Sequence, residues 1–457
     1  MKTFKKTLFL SLFFIINFIF IFIFSSGFTS IDMLMSINFI LIFLFLIYHI
    51  IKQKVNIFFS SYIIFNYLFF FIAPIMQLYG IHQLGGTFPN TMPLNHDLIF
   101  LTILSIITFN SIFFTTYIIF RKKIFINLFK KKVVYTDKTF FLLLLLSIIV
   151  LVLFMDRIEI LVAHQQFNTK LSIMESLIIG KVLFSLPIAY SVYFIVKIKN
   201  NYKHTYLIML ILSFILLMIF KNPMLEKRNA LGPIYMTLLY FSYPGLFKTN
   251  FRTFILLFLS MVVIFPISAI LTHNRTNDSI MEILSSSTFN VNSFFEVFSQ
   301  LHYDAFSNVV AAWDYMFQVG VSYGFQLLGS IFFFVPRAIW IDKPLSGGKE
   351  IGSFLTSNYE MWFDNLSMPF VGESIMNFGY FGIIIFPIIL AIVVIFFDRL
   401  LHSDDLLKRL VAVYFAFHII FLLRGDLMNG IAYFMGTFIA LYFIPKIIYR
   451  ITKTKRL

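Results

Sequence analysis

Residues 98–120, LIFLTILSIITFNSIFFTTYIIF, followed at once by residues 121–138, RKKIFINLFKKKVVYTDK, decide the fold. The first part carries no charged side chain, and about 20 apolar residues at about 1.5 Å each cross a hydrocarbon core of about 30 Å. The second part holds seven Lys or Arg residues against the single acid Asp137, the bias that marks a cytoplasmic loop. One span and its sidedness are therefore legible in a single stretch.

Working outward, eleven more apolar runs occur, at 8–24, 33–51, 57–76, 139–155, 173–196, 206–220, 231–247, 254–271, 374–397, 410–423 and 428–445. The expected fold is an all-α integral membrane bundle of twelve spans. The run 8–24 follows Lys2, Lys5 and Lys6, yet it is long for a signal peptide and no small-residue cleavage pattern follows it closely, so it reads as a span. Composition agrees: 60% of the 457 residues are hydrophobic and 12% charged, against roughly half and a quarter in soluble domains. The chain has no Cys, which excludes disulfides, thiolate metal sites and thiol catalysis.

The net charge of +15 would suggest nucleic acid if it lay on one face of a soluble domain, but it is scattered over short loops between apolar runs. Alternating those loops across the membrane puts 25 of the 36 Lys and Arg on one side, with Asp137, Asp398, Asp404 and Asp405 as its only acids. That side is about 21 charges positive and reads as the cytoplasm, with both termini in it. The expected location is a bacterial cytoplasmic membrane. Three stretches follow: a membrane bundle over 1–271, a large extracytoplasmic loop over 272–373, and a membrane segment with a basic tail over 374–457. Asn-x-Ser/Thr sequons begin at Asn274, Asn277 and Asn365; in a bacterial chain these are chance occurrences.

Within the loop, Phe294, Phe298, Leu301, Ala305, Val309, Trp313 and Met316 recur at helical spacing while Glu296, Gln300, Asp304 and Asp314 fall elsewhere. The pattern predicts a helix lying in the membrane interface. Leu327–Val335 is too short to span and reads as re-entrant or packed against the bundle.

The chain lacks HExxH, an EF-hand loop and paired CxxC, and Gly347-Gly348-Lys349 leads into Glu350 rather than the Ser or Thr of a phosphate-cradling loop. Neither a metal nor a cofactor is expected. What remains is a set of cations on the side poor in them: Arg228 in its short turn with Lys227, Arg275, Arg337, Lys343 and Arg424. Each alone fits a side chain snorkelling at a span's end, where a cation costs least. Lys181 and Glu175 read as an internal pair or a snorkelling cation, and His164, His273 and His302 are isolated.

The order of Pro336-Arg337, Trp340, Lys343-Pro344, Gly372-Glu373, Asn377-Phe378-Gly379, Gly382 and Arg424-Gly425-Asp426 resembles that of the O-antigen polysaccharide polymerases of the Wzy type, the oligosaccharide repeat unit polymerases. The likeness covers the whole chain in topology and the last third in motif; the Lys227-Arg228 turn is similar to the family's earlier Arg turn, loosely. It implies transfer of a growing glycan from one undecaprenyl diphosphate to a sugar on another lipid-linked repeat unit. The implied partners are that lipid-linked oligosaccharide, membrane lipid, a chain-length regulator and a repeat-unit flippase, with no nucleic acid.

The residues suit that chemistry by themselves. Guanidinium groups bind diphosphate oxygens without a metal and stabilise the charge that develops on the leaving group. Arg337 and Arg424 are the first choices, with Arg228, Arg275 and Lys343 in support. A proton acceptor for the attacking hydroxyl is Glu373, then Asp426 or His302. Trp340, Tyr359 and Trp362 could stack on sugars or anchor the chain at the interface. An O-antigen ligase would share donor and membrane face, and a flippase or secondary transporter is the alternative of a different class.

Overall fold

The computed structural model describes residues 2–52, 54–84, 94–123, 133–158, 175–223, 228–264, 298 and 301–454. Among them every regular element is helical. Helix α1 is Lys2–Ile23, α2 Thr29–Ile51 and α3 Ile57–Tyr67, which runs through a π-turn at Leu68–Ile72 into α4, Ala73–Leu84. Then come α5 His96–Phe120 and α6 Asp137–Leu153, a π-turn at Ser176–Val182, and α7 Leu186–Asn200. Helices α8 His204–Phe220, α9 Arg228–Ser242 and α10 Asn250–Leu259 follow. The last third holds α11 Ala305–Gln318, α12 Phe325–Ile331, α13 Gly347–Tyr359, α14 Phe370–Phe378, α15 Tyr380–Leu401, α16 Leu406–Arg424, α17 Leu427–Phe438 and α18 Ile444–Thr454.

Among the described residues eight continuous helices are long and apolar enough to cross a membrane: Phe4–Ile23, Thr29–Ile51, Ile57–Gln83, His96–Phe120, Ser176–Asn200, Tyr380–Leu401, Leu406–Arg424 and Leu427–Lys453. The other four apolar runs of the sequence fall on α6, α8, α9 and α10, whose described helices are shorter, and residues 265–271 of the last of these runs lie outside the described residues. Short polar residues start several of these helices. The Asn56, Asn95 and Asp405 side chains accept from backbone N–H groups of the first turns of α3, α5 and α16, filling donors a helix leaves open.

Outward faces carry large apolar side chains that water would penalise, such as Leu8, Ile15 and Phe22 on α1 and Ile208, Ile211 and Ile215 on α8, as lipid-facing helices require. Inward, polar pairs join helices: Tyr62 Oη donates to Asn110 Oδ1 at 2.5 Å and Asn110 Nδ2 to Asn66 Oδ1 at 2.8 Å. Such bonds contribute about 0.6 kcal/mol each in a bilayer.

The loops read as cytoplasmic gather on one face. The Asn250 amide donates to the carbonyls of His49, Lys52 and Lys54, and Arg399 donates to the Arg121 carbonyl at 2.5 Å. Lys197 pairs with Asp137 at 2.9 Å, and Tyr135 donates to Asp405 at 3.1 Å. Lys6 donates to the Ile50 carbonyl and Tyr449 packs on Tyr135, so the first turns of α1 and the later part of α18 lie at this face. Connections assigned to the other side meet at the opposite ends, where Gln77 donates to the carbonyls of Phe298 and Tyr303.

Two expectations change. The helix placed in the interface, whose described part is α11, lies inside the bundle, with Ala305–Asp314 buried all round. Its polar positions face protein rather than water: Asn308 donates to the Ser367 carbonyl at 2.6 Å, Asp314 accepts from Gln318 and Tyr359, and Trp313 donates to Ser105 on α5 at 3.2 Å. The run 374–397 is not one continuous helix. It begins in α14, breaks at Gly379, whose φ of +57° disfavours any residue with a side chain, and resumes as α15. Gly382 lets the two helices touch, since a Cβ there would lie 1.8 Å from the Ser374 carbonyl oxygen. The segment 327–335 packs against the bundle, as expected: a Cβ at Gly329 would lie 3.3 Å from Met428 on α17.

Candidate functional site

Helix α16 starts beside the basic face at Lys408 and ends at Arg424, so its 19 residues carry Arg424 to the opposite end of the bundle, about 28 Å away at helical rise. Gly425 then turns the chain sharply: a Cβ there would lie 2.6 Å from the Phe421 ring and 2.9 Å from its carbonyl oxygen. Asp426 caps α17, accepting from Asn429 N at 3.1 Å, and also accepts from Gly348 N at the start of α13, again at 3.1 Å. One carboxylate thus holds two helix N-termini.

A cavity of ≈ 340 Å³ opens at this junction. It is lined by two cations, Lys181 and Arg424, two acids, Asp304 and Asp426, and the polar side chains of Ser176, Asn365, Ser367, Asn429 and Tyr433, with Leu301, Phe363, Leu366 and Phe421 between. Arg424 donates from Nε to the His302 carbonyl at 3.1 Å and from Nη2 to the Leu301 carbonyl at 2.8 Å and Asp304 Oδ1 at 3.0 Å. Asp304 also accepts from Ser367 at 2.8 Å. Burial pushes the Asp304 carboxyl up, while the Arg424 guanidinium and the Ser367 hydroxyl pull it back down.

Lys181 arrives from the π-turn before α7, and π-turns are frequent at functional sites. Its ammonium sits 4.3 Å from the centre of the Tyr433 ring, a cation–π contact. Gly436, one turn beyond Tyr433, permits this approach: a Cβ there would lie 2.7 Å from Lys181 Cβ. The buried Lys221 donates to the Gly180 carbonyl at 2.8 Å, holding the turn from behind. Glu175, expected beside Lys181, accepts from Arg157 at 2.8 Å.

Glu373 is fully buried behind Asp426 and does not line the cavity. Its Oε1 accepts from Leu427 N at 3.1 Å while Oε2 is without a hydrogen-bond partner among the described residues. Burial first, then the neighbouring Asp426 charge, push its carboxyl up to about 8, against the Leu427 bond. A proton on Glu373 at neutral pH is what keeps two adjacent acids compatible in this interior. Burial also raises Asp426, opposed by Ser346 and the backbone donors. Gly347 makes room for the Glu373 carboxyl, since a Cβ there would lie 2.5 Å from Oε1. The Gly347-Gly348 pair therefore serves acid packing.

The other expected residues divide. Arg424 and Asp426 line the cavity, and His302 contributes its carbonyl to Arg424. Arg337 lies elsewhere, exposed, with its guanidinium donating to the carbonyls of Lys343 and Pro344. Lys343 is buried and donates to the carbonyls of Phe333 at 2.7 Å and Val335 at 3.0 Å. These two cations hold a turn and do not join Arg424. Trp340 packs edge-on against Phe325, and Tyr359 donates to Asp314 at 2.6 Å. Trp362 is 68% exposed, next to the cavity-lining Phe363. Arg275 lies outside the described residues, as does the side chain of Arg228, which opens α9.

Sequence reasoning passed over Lys181, Asp304, Asn365, Ser367, Asn429 and Tyr433. A signal existed for some of them. Lys181 is an ionisable group inside an apolar run, which is itself a pointer to function, and Asn429, Tyr433 and Gly436 recur at helical spacing. Asp304, Asn365 and Ser367 are brought in by tertiary folding alone. Among the described residues no group of three or more His, Asp or Glu is placed to hold a metal ion. No family model, curated protein or solved structure matches this chain.

Proposed function

We propose that this chain extends a lipid-linked polysaccharide at the outer face of a bacterial cytoplasmic membrane, with twelve crossings and both termini in the cytoplasm. The observation that carries the reading is the polar cavity lined by Lys181 and Arg424 at the ends of membrane-length helices, away from the basic face. A lipid diphosphate at the membrane surface needs such a place: its tail stays in lipid and its oxygens meet cations. The four shorter apolar helices then complete the alternation of basic loops, and the outer stretch 272–373 supplies Asp304, Asn365 and Ser367 to the site.

In the reaction, the glycosyl C1–O bond to the donor diphosphate breaks and a new C1–O bond forms to an acceptor sugar hydroxyl. The lipid diphosphate leaves with the bonding pair, and Lys181 and Arg424 stabilise its added charge. The acceptor's proton passes to Asp426, the acid at the cavity wall, whose raised affinity for a proton suits that task. Glu373 behind it stays protonated and keeps Asp426 ionised. Asn365, Ser367, Asn429 and Tyr433 offer hydrogen bonds to sugar hydroxyls, with Trp362 near the cavity-lining Phe363 as a stacking surface.

The test is elongation of a defined undecaprenyl-diphosphate-linked repeat unit by the purified protein in liposomes. Polymer ladders are expected. If the protein moves the lipid across the bilayer without lengthening it, the chain is a flippase and the reading fails. Long unattached chains in a deletion strain would instead assign it as a ligase.

A further inference from the structure

Residues 320–345 form a lip outside the cavity that no step above uses. The lip is fixed to the end of α14: Ser322 N donates to the Met376 carbonyl at 2.9 Å and Leu327 N to Asn377 Oδ1, also at 2.9 Å. Its outer surface is mostly apolar, with Tyr323 85%, Ile339 78%, Ile341 80% and Phe334 55% exposed, and the charged Arg337 and Asp342 are exposed beside them. The lip meets the chain just before α15, where a Cβ at Gly379 would lie 3.4 Å from Val321, and in the first turns of α15 Tyr380, Phe381 and Ile384 are exposed on a helix of membrane length.

Its backbone is mostly irregular, and irregular backbone is tolerated at hydrocarbon depth only when its polar groups are satisfied by protein. In the lip cations satisfy four of the carbonyls. Lys343 Nζ takes the carbonyls of Phe333 and Val335, and the Arg337 guanidinium takes those of Lys343 and Pro344. The N–H groups of Val335, Ile339 and Trp340 donate within the same turns. A turn bathed in water has no need of a buried ammonium to solvate its carbonyls.

We propose that this lip inserts into the outer leaflet of the bilayer. Ile339 and Ile341 lie among acyl chains, while Arg337 at its edge reaches the level of the lipid phosphates. The occupant is lipid rather than a protein because the lip meets the chain just before the lipid-facing first turns of α15, and because four of its carbonyls are sealed from within.

The chain has no Cys, so single-cysteine variants I339C and I341C can carry a nitroxide label without other changes. The full-length protein is placed, one copy per nanodisc, in phosphatidylcholine with phosphatidylglycerol. Labels at I384C on α15 and at S357C on the polar, exposed turn of α13 give the lipid and water references. Oxygen, which concentrates in lipid, is expected to relax the Ile339 and Ile341 labels more than a water-soluble nickel chelate does, with a ratio within about twofold of the Ile384 label. A ratio like that of Ser357 overturns the proposal by placing the lip in water. Protection from both reagents also overturns it, by showing the lip covered by protein.

Discussion

Replacing Arg424 by Ala separates the two roles its side chain has been given. Its side chain is 21% exposed and pairs with an Asp304 side chain that is 3% exposed. Removing it leaves a buried carboxylate facing the carbonyls of Leu301 and His302. Breaking a buried pair from one side costs about 3–5 kcal/mol. A second route gives a similar bound: the orphaned Asp304 escapes by taking a proton, and protonating an ordinary carboxyl at neutral pH costs about 4 kcal/mol. The deficit should therefore shrink towards about 1–2 kcal/mol near pH 5, since a carboxyl that binds its proton more tightly when folded contributes stability at low pH and loses it as pH rises.

Equilibrium unfolding in mixed micelles at the two pH values reads that part. The double variant R424A with D304N removes both charges and is expected to regain more than half of the lost stability, yet to stay inactive in elongation because the diphosphate has lost its guanidinium. Full elongation by the double variant would leave Arg424 a purely structural tie and remove it from the site. A single-variant cost below about 1 kcal/mol would mean that Asp304 is solvated, contrary to its burial.

Three further outcomes are expected. Lys181→Met keeps the length of the side chain and removes its charge, so binding of the lipid-linked donor should weaken tenfold or more while the unfolding midpoint moves little; unchanged binding would take Lys181 out of the diphosphate site. Arg337→Lys keeps charge but loses the fork that reaches two carbonyls, so chain extension should fall with membrane insertion intact, and normal polymer length would show that the turn it staples is dispensable. Glu373→Gln mimics the protonated acid. The parent should lose stability as pH rises from 4.5 to about 8, because the folded carboxyl holds its proton more tightly than the unfolded one, whereas the variant should not; parallel curves for the two across that window would show that Glu373 is already ionised.

The apolar runs were legible because lipid imposes one rule on every span, and each run is mostly helix where the chain is described, with breaks such as that at Gly379. The basic loops were legible for the same reason: the pairs joining Asn250 to Lys52, Arg399 to Arg121 and Tyr135 to Asp405 bring them to one face. The outer stretch obeyed no such rule. In α11, period and polarity read as one wet face, but Asp304, Asn308 and Asp314 find partners from residues 359 to 424, so each wet position is dry. Polarity in a sequence reports that a side chain needs a partner and not whether the partner is water. The same ambiguity divided the cations. Arg337 and Arg424 look alike as lone arginines on the side poor in them, yet one takes the carbonyls of its own turn and the other ties a buried acid at a cavity wall. A buried polar group is costly until it is paired, so the cations of this face went where carbonyls and carboxylates were left open, and only the fold determines where those are.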